Sequence, residues 1–212
     1  HAGLPLFEQL GKKIFLTAAG TELLHHGHLI IQQFEQAEAA MMHFKGVAGG
    51  RLNIDVISAG DYFLPSVLVE FARRHEGVKL NLSVHSRAEL LTRLADHLTD
   101  LAVMVRPPED ADTLAEAFAP HPYVIVAPRD HALVRERGIA LARLVREPFI
   151  LREPGSDTRH AMTETLGRHA AQLNVVLEVK STETIKQAVI AGMGVAFLSA
   201  HTVSRELRDD TA

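Results

Sequence analysis

The sequence predicts an α/β fold in two similar halves, preceded by one long helix. Three observations carry this. Short apolar runs alternate with amphipathic stretches between residues 51 and 199, in the order strand, helix, strand. The alternation occurs twice, with an extended, Pro-containing crossover between the halves. Residues 17–46 hold the longest helical pattern, closed by Gly46, Gly49 and Gly50. Strands alternating with helices build parallel sheets, and ligands of such sheets sit off the carboxyl ends of the strands.

Taken from the amino end, Thr17 is placed to cap the long helix. Gly20, Gly27, Phe34 and Met41 fall in one heptad register, and Leu23, Ile30, Ala37 and Phe44 in the other. This is a seam of about four heptads, which predicts dimerisation through Leu23, Gly27, Ile30, Phe34, Met41 and Phe44. Glycines in the seam point to close backbone approach. The alternative is a single amphipathic helix packed on its own domain. "RLNIDVIS" (51–58) reads as a buried strand, 62–77 as a helix closing at Gly77, and "VKLNLSV" (78–84) as an alternating strand. Residues 86–99 read as a helix and "DLAVMV" (100–105) as a buried strand, completing a βαβαβ unit with a parallel sheet. A strand within 121–133 runs into the connector. The pattern then repeats: a short helix at 139–146, strand 148–153, helix 156–171, strand 174–181, helix 182–192 and strand 194–199.

The 212 residues are 47% hydrophobic, enough for one large or two small cores. No apolar run approaches the roughly 20 residues of a membrane helix. The start, "HAGLPLFEQL", lacks the basic and apolar regions of a signal peptide. The absence of Cys excludes disulfides and thiolate chemistry and fits a reducing compartment without proving one; a cytoplasmic location is expected. A net charge of −4 gives no general attraction to nucleic acid. The 13 histidines are expected to be solvated rather than metal-bound: of His25, His26 and His28, helical spacing brings together only His25 and His28, with no Cys in the chain to join them. Gly192-x-Gly194 leads from helix into strand, the reverse of a dinucleotide fingerprint. No nucleophile elbow, zinc-protease motif or Ser–His–Asp set stands out, so no enzyme is expected.

The carboxyl ends of the expected strands are 58–61, 85–87, 106–108, 152–159 and 181–183. "REPGSDTRHAM" (152–162) joins loop amides, hydroxyls and a guanidinium at a helix start, where a partial positive charge stabilises anions. Ser156 and Thr158 are candidate hydroxyl donors and Arg159 a candidate bidentate clamp, with Arg152 just before them. The same letters also spell a turn and an N-cap, and the stretch is expected to do both. Arg106 reads either as a second cation of the cleft or as a rim salt bridge.

The pieces in this order resemble a LysR-type transcriptional regulator. "LPLFEQLGKKIFLTAAGTELL" is similar to that family's wing and linker-helix entry, through Leu6, Phe7, Gln9, Leu16, Thr17, Ala19 and Gly20. "GRLNIDVISAGDYFLPSVLVEFARRHEGVKLNLSV" resembles the start of its effector domain, and "AVIAGMGVAFLS" its second-lobe segment. A narrower likeness, to regulators of Calvin-cycle carbon-fixation operons, is carried by "FAPHPYVIVAPRDHAL", "REPGSDTRHAM" and "ETIKQAVIAGMGVAFLSAHTV".

The resemblance implies two Rossmann-like lobes of the type 2 periplasmic-binding-protein fold after a long dimerisation linker helix. It divides the chain into a wing remnant of the winged helix-turn-helix (1–16), linker helix and hinge (17–50), lobe I (51–128), lobe II (129–199) and the start of a return segment (200–212). Ser58, Gly60, Ser86 and Arg87 at strand ends of the first lobe, and Thr182 and Glu183 in the second, then join Arg106, Arg152, Ser156, Thr158 and Arg159 as expected effector contacts; the alternative for the short hydroxyl residues among them is helix capping. It further implies no cofactor, a small-molecule effector (a phosphorylated metabolite or NADPH), a homodimer or homotetramer, and no membrane. DNA would be bound through an N-terminal domain largely outside this sequence, with Lys12 and Lys13 of the wing on the DNA backbone. Compared with the family pattern, the sequence starts after the base-reading helix and stops before the return to the first lobe. A solute-binding protein of a transport system shares the architecture and is the competing reading, but has no use for a dimerisation helix.

Overall fold

The computed structural model describes residues 3–44, 49–108 and 113–208. The chain divides into two compact units, the first drawing its described residues from 1–55, 68–83 and 89–102, the second from 56–67, 84–88 and 103–212.

In the first unit, β1 (Phe7–Leu10) and β2 (Lys13–Leu16) form an antiparallel hairpin with Phe7 opposite Leu16 and Leu10 opposite Lys13. Gly11 supplies the positive φ (66°) that a two-residue hairpin loop favours. Helix α1 (Ala18–Phe44) follows. Thr17 caps it as expected, its Oγ1 accepting from the Gly20 amide at 3.0 Å and donating to the Pro5 carbonyl at 2.7 Å. Gly20 does make a close backbone approach, but to its own hairpin: a Cβ there would stand 2.0 Å from the Leu6 carbonyl oxygen. Gly27 faces open space. Leu23, Ile30, Phe34 and Met41 are exposed, while the Phe44 side chain and the expected stop at Gly46 lie outside what is described.

Strands β3 (Gly50–Ile57), β4 (Val78–His85) and β5 (Leu101–Val103) form a sheet in the order β4-β3-β5, connected through α2 (Leu64–Arg74) and α3 (Arg87–Ala95). Along β3, Ile54 and Val56 are fully buried. Asp55 between them is also buried, as a carboxylate accepting from Arg93 Nε at 2.6 Å and from Thr99. The division into units leaves the end of β3 with the turn after it, the start of α2, the end of β4, the start of α3 and the last residue of β5 in the second unit.

The second sheet has the order β6-β9-β7-β8, from β6 (Tyr123–Val126), β7 (Pro148–Arg152), β8 (Asn174–Val179) and β9 (Val195–Ser199). Strand β7 is parallel to β8 and β9, but β6 is antiparallel to β9, pairing Tyr123 with Ser199 and Val126 with Ala196. The sheet is therefore mixed rather than parallel. Strand β6 is an edge strand and arrives without a crossover helix, so its direction is unconstrained by right-handed βαβ winding. Both faces of the central strands are covered. Phe149 and Leu151 of β7 and Val195 and Phe197 of β9 pack with Met162 and Leu166 of α5 (Asp157–Leu166). Ile150, Ala196 and Leu198, the alternate residues, pack with Ile185 and Val189 of α6 (Thr182–Ile190). Period-two alternation thus assigns one helix to each face. A short α4 (Leu141–Leu144) precedes β7, and α7 (Ser204–Arg208) follows β9. The helix expected over 156–171 ends at Leu166, because Gly167 adopts φ 52° and the chain continues as a 3-10 segment.

Candidate functional site

Several of the residues singled out at strand ends come together in the second unit, in two clusters. The first centres on Arg152, the last residue of β7. Its Nη1 donates to Ser58 Oγ, in the 3-10 turn after β3 (Ser58–Tyr62), and to Thr182 Oγ1, in the first turn of α6, each at 3.0 Å. Its Nε and Nη2 bond Glu153 at 2.8 and 3.0 Å, which holds the guanidinium in a fixed plane. Gly60 lies buried in the same turn, where a Cβ would meet Val56 Cγ2 at 2.0 Å; it shapes the turn.

The second cluster centres on Asp157, the first residue of α5. Ser156 caps that helix, accepting from the Arg159 amide at 3.1 Å, and the buried Asp157 carboxylate benefits from the helix N-terminus. It accepts from Arg106 Nη2 and Nε at 3.0 and 3.1 Å and from Arg87 Nη1 at 3.3 Å. Arg87 also donates to the Arg106 carbonyl at 2.7 Å. Arg106 thus forms the ion pair that was one of its two readings. With two guanidiniums on one carboxylate at a helix N-terminus, the cluster keeps an excess positive charge, a favourable place for an anion.

Arg159 stands differently from the expected clamp. Its guanidinium donates to the Arg152 carbonyl at 3.3 Å and lies 3.6 Å from Glu178, tying α5 to β7 and β8. Thr158 is buried in the first turn of α5, and Ser86 is exposed just before α3. Glu183 is outside both clusters but adjoins Thr182, and hydrogen bonds from Lys186 and then Gln187 hold its carboxyl below the usual carboxylate range. Sequence reasoning missed Asp157, Glu153 and Lys186. The first had a signal: an acid directly after a Ser cap is the favoured charge for a helix start. Nothing local announced which arginines it would hold.

Nearby, His121 and His201 lie with ring centroids 5.5 Å apart, and Tyr123 stacks on Phe197 at 5.0 Å. Burial, and then the Asp157 charge, push the Tyr123 phenol up to about 12. Among the described residues no group of three or more ligating side chains is placed to hold a metal ion. No described helix is long and apolar enough to cross a membrane.

Arginines and hydroxyls are thus brought together at the strand ends of an α/β domain. The LysR substrate binding domain family matches residues 45–211, and the chain belongs to this family of transcriptional regulators. It is 44% identical over 206 residues to the HTH-type transcriptional regulator CbbR of Rhodospirillum rubrum, covering 97% of this chain and 68% of that one. It is 39% identical over 204 residues to the HTH-type transcriptional activator CmpR of Synechocystis, covering 96% and 67%. The chain therefore spans about two thirds of the length of these curated relatives. Among solved structures, the Synechocystis CcmR regulatory domain in complex with 2-PG superposes with a TM-score of 0.69 at 38% identity, covering 72% of this chain and 74% of that one. A full-length OxyR variant from Pseudomonas aeruginosa shares the fold, with a TM-score of 0.69 at 22% identity over 96% of this chain and 70% of that one.

Proposed function

We propose that this chain is the effector-sensing and oligomerisation region of a cytoplasmic, non-enzymatic regulator of carbon-fixation genes, and that its effector is a small phosphorylated acid. The observation that carries the effector class is Arg152, held between the hydroxyls of Ser58 and Thr182 at 3.0 Å each. A phosphate takes the place of one internal partner, accepting from the guanidinium while both hydroxyls donate to its remaining oxygens. Arg87 and Arg106 supply the second positive locus, for a carboxylate or a further phosphate. Its relatives' names as RuBisCO-operon and CbbR regulators, and the 2-PG held by the CcmR domain, support this reading. NADPH, the other effector implied by the resemblance, carries phosphates of the same chemistry.

The exposed Leu23, Ile30, Phe34 and Met41 of α1 support self-association through that helix, as a dimer or a tetramer. Lys12 and Lys13 on the exposed hairpin suit DNA phosphates beside a DNA-binding domain. Calorimetric titration tests the effector reading. 2-Phosphoglycolate should bind the wild type, glycolate should not, and Arg152→Ala should weaken binding roughly ten- to a hundredfold, the worth of a charge-assisted bond. Equal affinity for glycolate and 2-phosphoglycolate would remove the phosphate from the reading.

A further inference from the structure

Ser58 and Thr182 reach Arg152 from separate segments, and what holds those segments in register lies one helical turn further along α6. Lys186 follows Thr182 by four residues, so both stand on one side of the helix. Its ammonium is 2.7 Å from Glu183 Oε2 and 2.6 Å from Glu206 Oε1 of α7. It also lies 4.7 Å from the centroid of the Tyr62 ring, the last residue of the turn that begins with Ser58. The Tyr62 hydroxyl donates to Glu183 Oε2 at 3.4 Å, and Gln187 holds the other oxygen at 3.0 Å. The Lys186 side chain is only 6% exposed. Burial opposes its charge, and the hydrogen bonds with Glu183 and Glu206 outweigh that, leaving the ammonium above the usual lysine range. An apolar residue of the same volume would fill this space without desolvating an ion. It would also take from Tyr62 and Glu183 the ammonium that touches both.

We propose that Lys186 is a positioning residue for the anion site. It pins the 58–62 turn to the first turn of α6 and so sets the spacing at which Ser58 and Thr182 face Arg152 together. It touches no ligand itself. The role rests on Arg152, Ser58 and Thr182 being the effector's anion site.

The test is titration of 2-phosphoglycolate into the wild type, Lys186→Met, Lys186→Arg, Tyr62→Phe and Arg152→Ala, well below the melting temperature of each. Lys186→Met should lose about tenfold in affinity, the middle of the range for residues coupled in one network. Lys186→Arg, which keeps the charge, should recover most of that, and Tyr62→Phe should fall between. Because Lys186→Met also takes one partner from Glu206, the double variant Lys186→Met/Glu206→Leu is measured beside it. It should keep a wild-type melting temperature and still bind weakly, which a purely structural lysine would not produce. If both Met variants bind as the wild type while Arg152→Ala is impaired, the positioning role is overturned and the site stands. A Lys186→Arg variant no better than Lys186→Met also overturns it. Binding that survives Arg152→Ala, or wild-type protein that ignores 2-phosphoglycolate, removes the site reading and the role of Lys186 with it.

Discussion

Asp157→Asn is the most informative single change outside the Arg152 cluster. Asparagine keeps the shape and one acceptor oxygen but removes the charge that Arg87 and Arg106 share at the start of α5. Breaking a buried ion pair by removing one partner costs about 3–5 kcal/mol. Arg106 is 43% exposed, so water screens its share, and a discounted loss of roughly 2–4 kcal/mol is expected, including the carboxylate's interaction with the helix N-terminus. For a chain of this size that lowers the melting temperature by about 4–16 °C. The same change leaves two guanidiniums seeking an anion. Inorganic phosphate, compared with sodium chloride at matched ionic strength, should therefore restore more stability to Asp157→Asn than it adds to the wild type. Thermal melts followed by circular dichroism in both salts measure both effects. A melting temperature within a degree of wild type, or equal phosphate gains in the two proteins, would refute the view that Asp157 is the internal counter-charge of an anion site.

Three further outcomes follow from the same geometry. Ile30→Glu/Phe34→Glu, at positions 69% and 64% exposed, should leave folding intact but turn a dimer into a monomer, since facing like charges cost several kcal/mol; a wild-type monomer at micromolar concentration in sedimentation would contradict this. Burial, and then the neighbouring His201, hold His121 below the usual histidine range, so the folded state takes up its proton less readily than the unfolded chain. Stability should accordingly fall as pH drops below about 6.5, the unfolded value, and stay level above it as far as this group is concerned; the slope of melting temperature with pH should be shallower in His121→Gln. Gly194→Ala would place a Cβ 2.3 Å from the Pro148 carbonyl oxygen at the start of the β7–β9 pairing, and should cost about 1–3 kcal/mol of stability by chemical denaturation without altering the Arg152 cluster.

The alternation of strands and helices was legible because it is written in local patterns. Phe149 to Leu151 and Val195 to Leu198 are continuous apolar runs, as strands covered on both faces must be. The direction of β6 was not legible, since an edge strand of four residues carries no signal that distinguishes parallel from antiparallel pairing. At the site, strand-end placement together with the family resemblance picked out Ser58, Arg87, Arg106, Arg152 and Thr182, which the fold does bring into two clusters. What the letters could not convey is where a long side chain turns. Arg159 begins in the first turn of α5, yet it reaches back to the Arg152 carbonyl and Glu178, because a helical side chain points towards the preceding turn. The carboxylate that organises the arginines, Asp157, is identified only once residues 70 and 51 positions away fold onto it.

A crystal structure with 2-phosphoglycolate bound is the most direct test of the phosphate site. Phosphate density within hydrogen-bond distance of Arg152, Ser58 and Thr182 is the expected result, with the carboxylate directed to Arg87 or Arg106. Phosphate density elsewhere, with the bonds from Arg152 to Ser58 and Thr182 still in place, would contradict it.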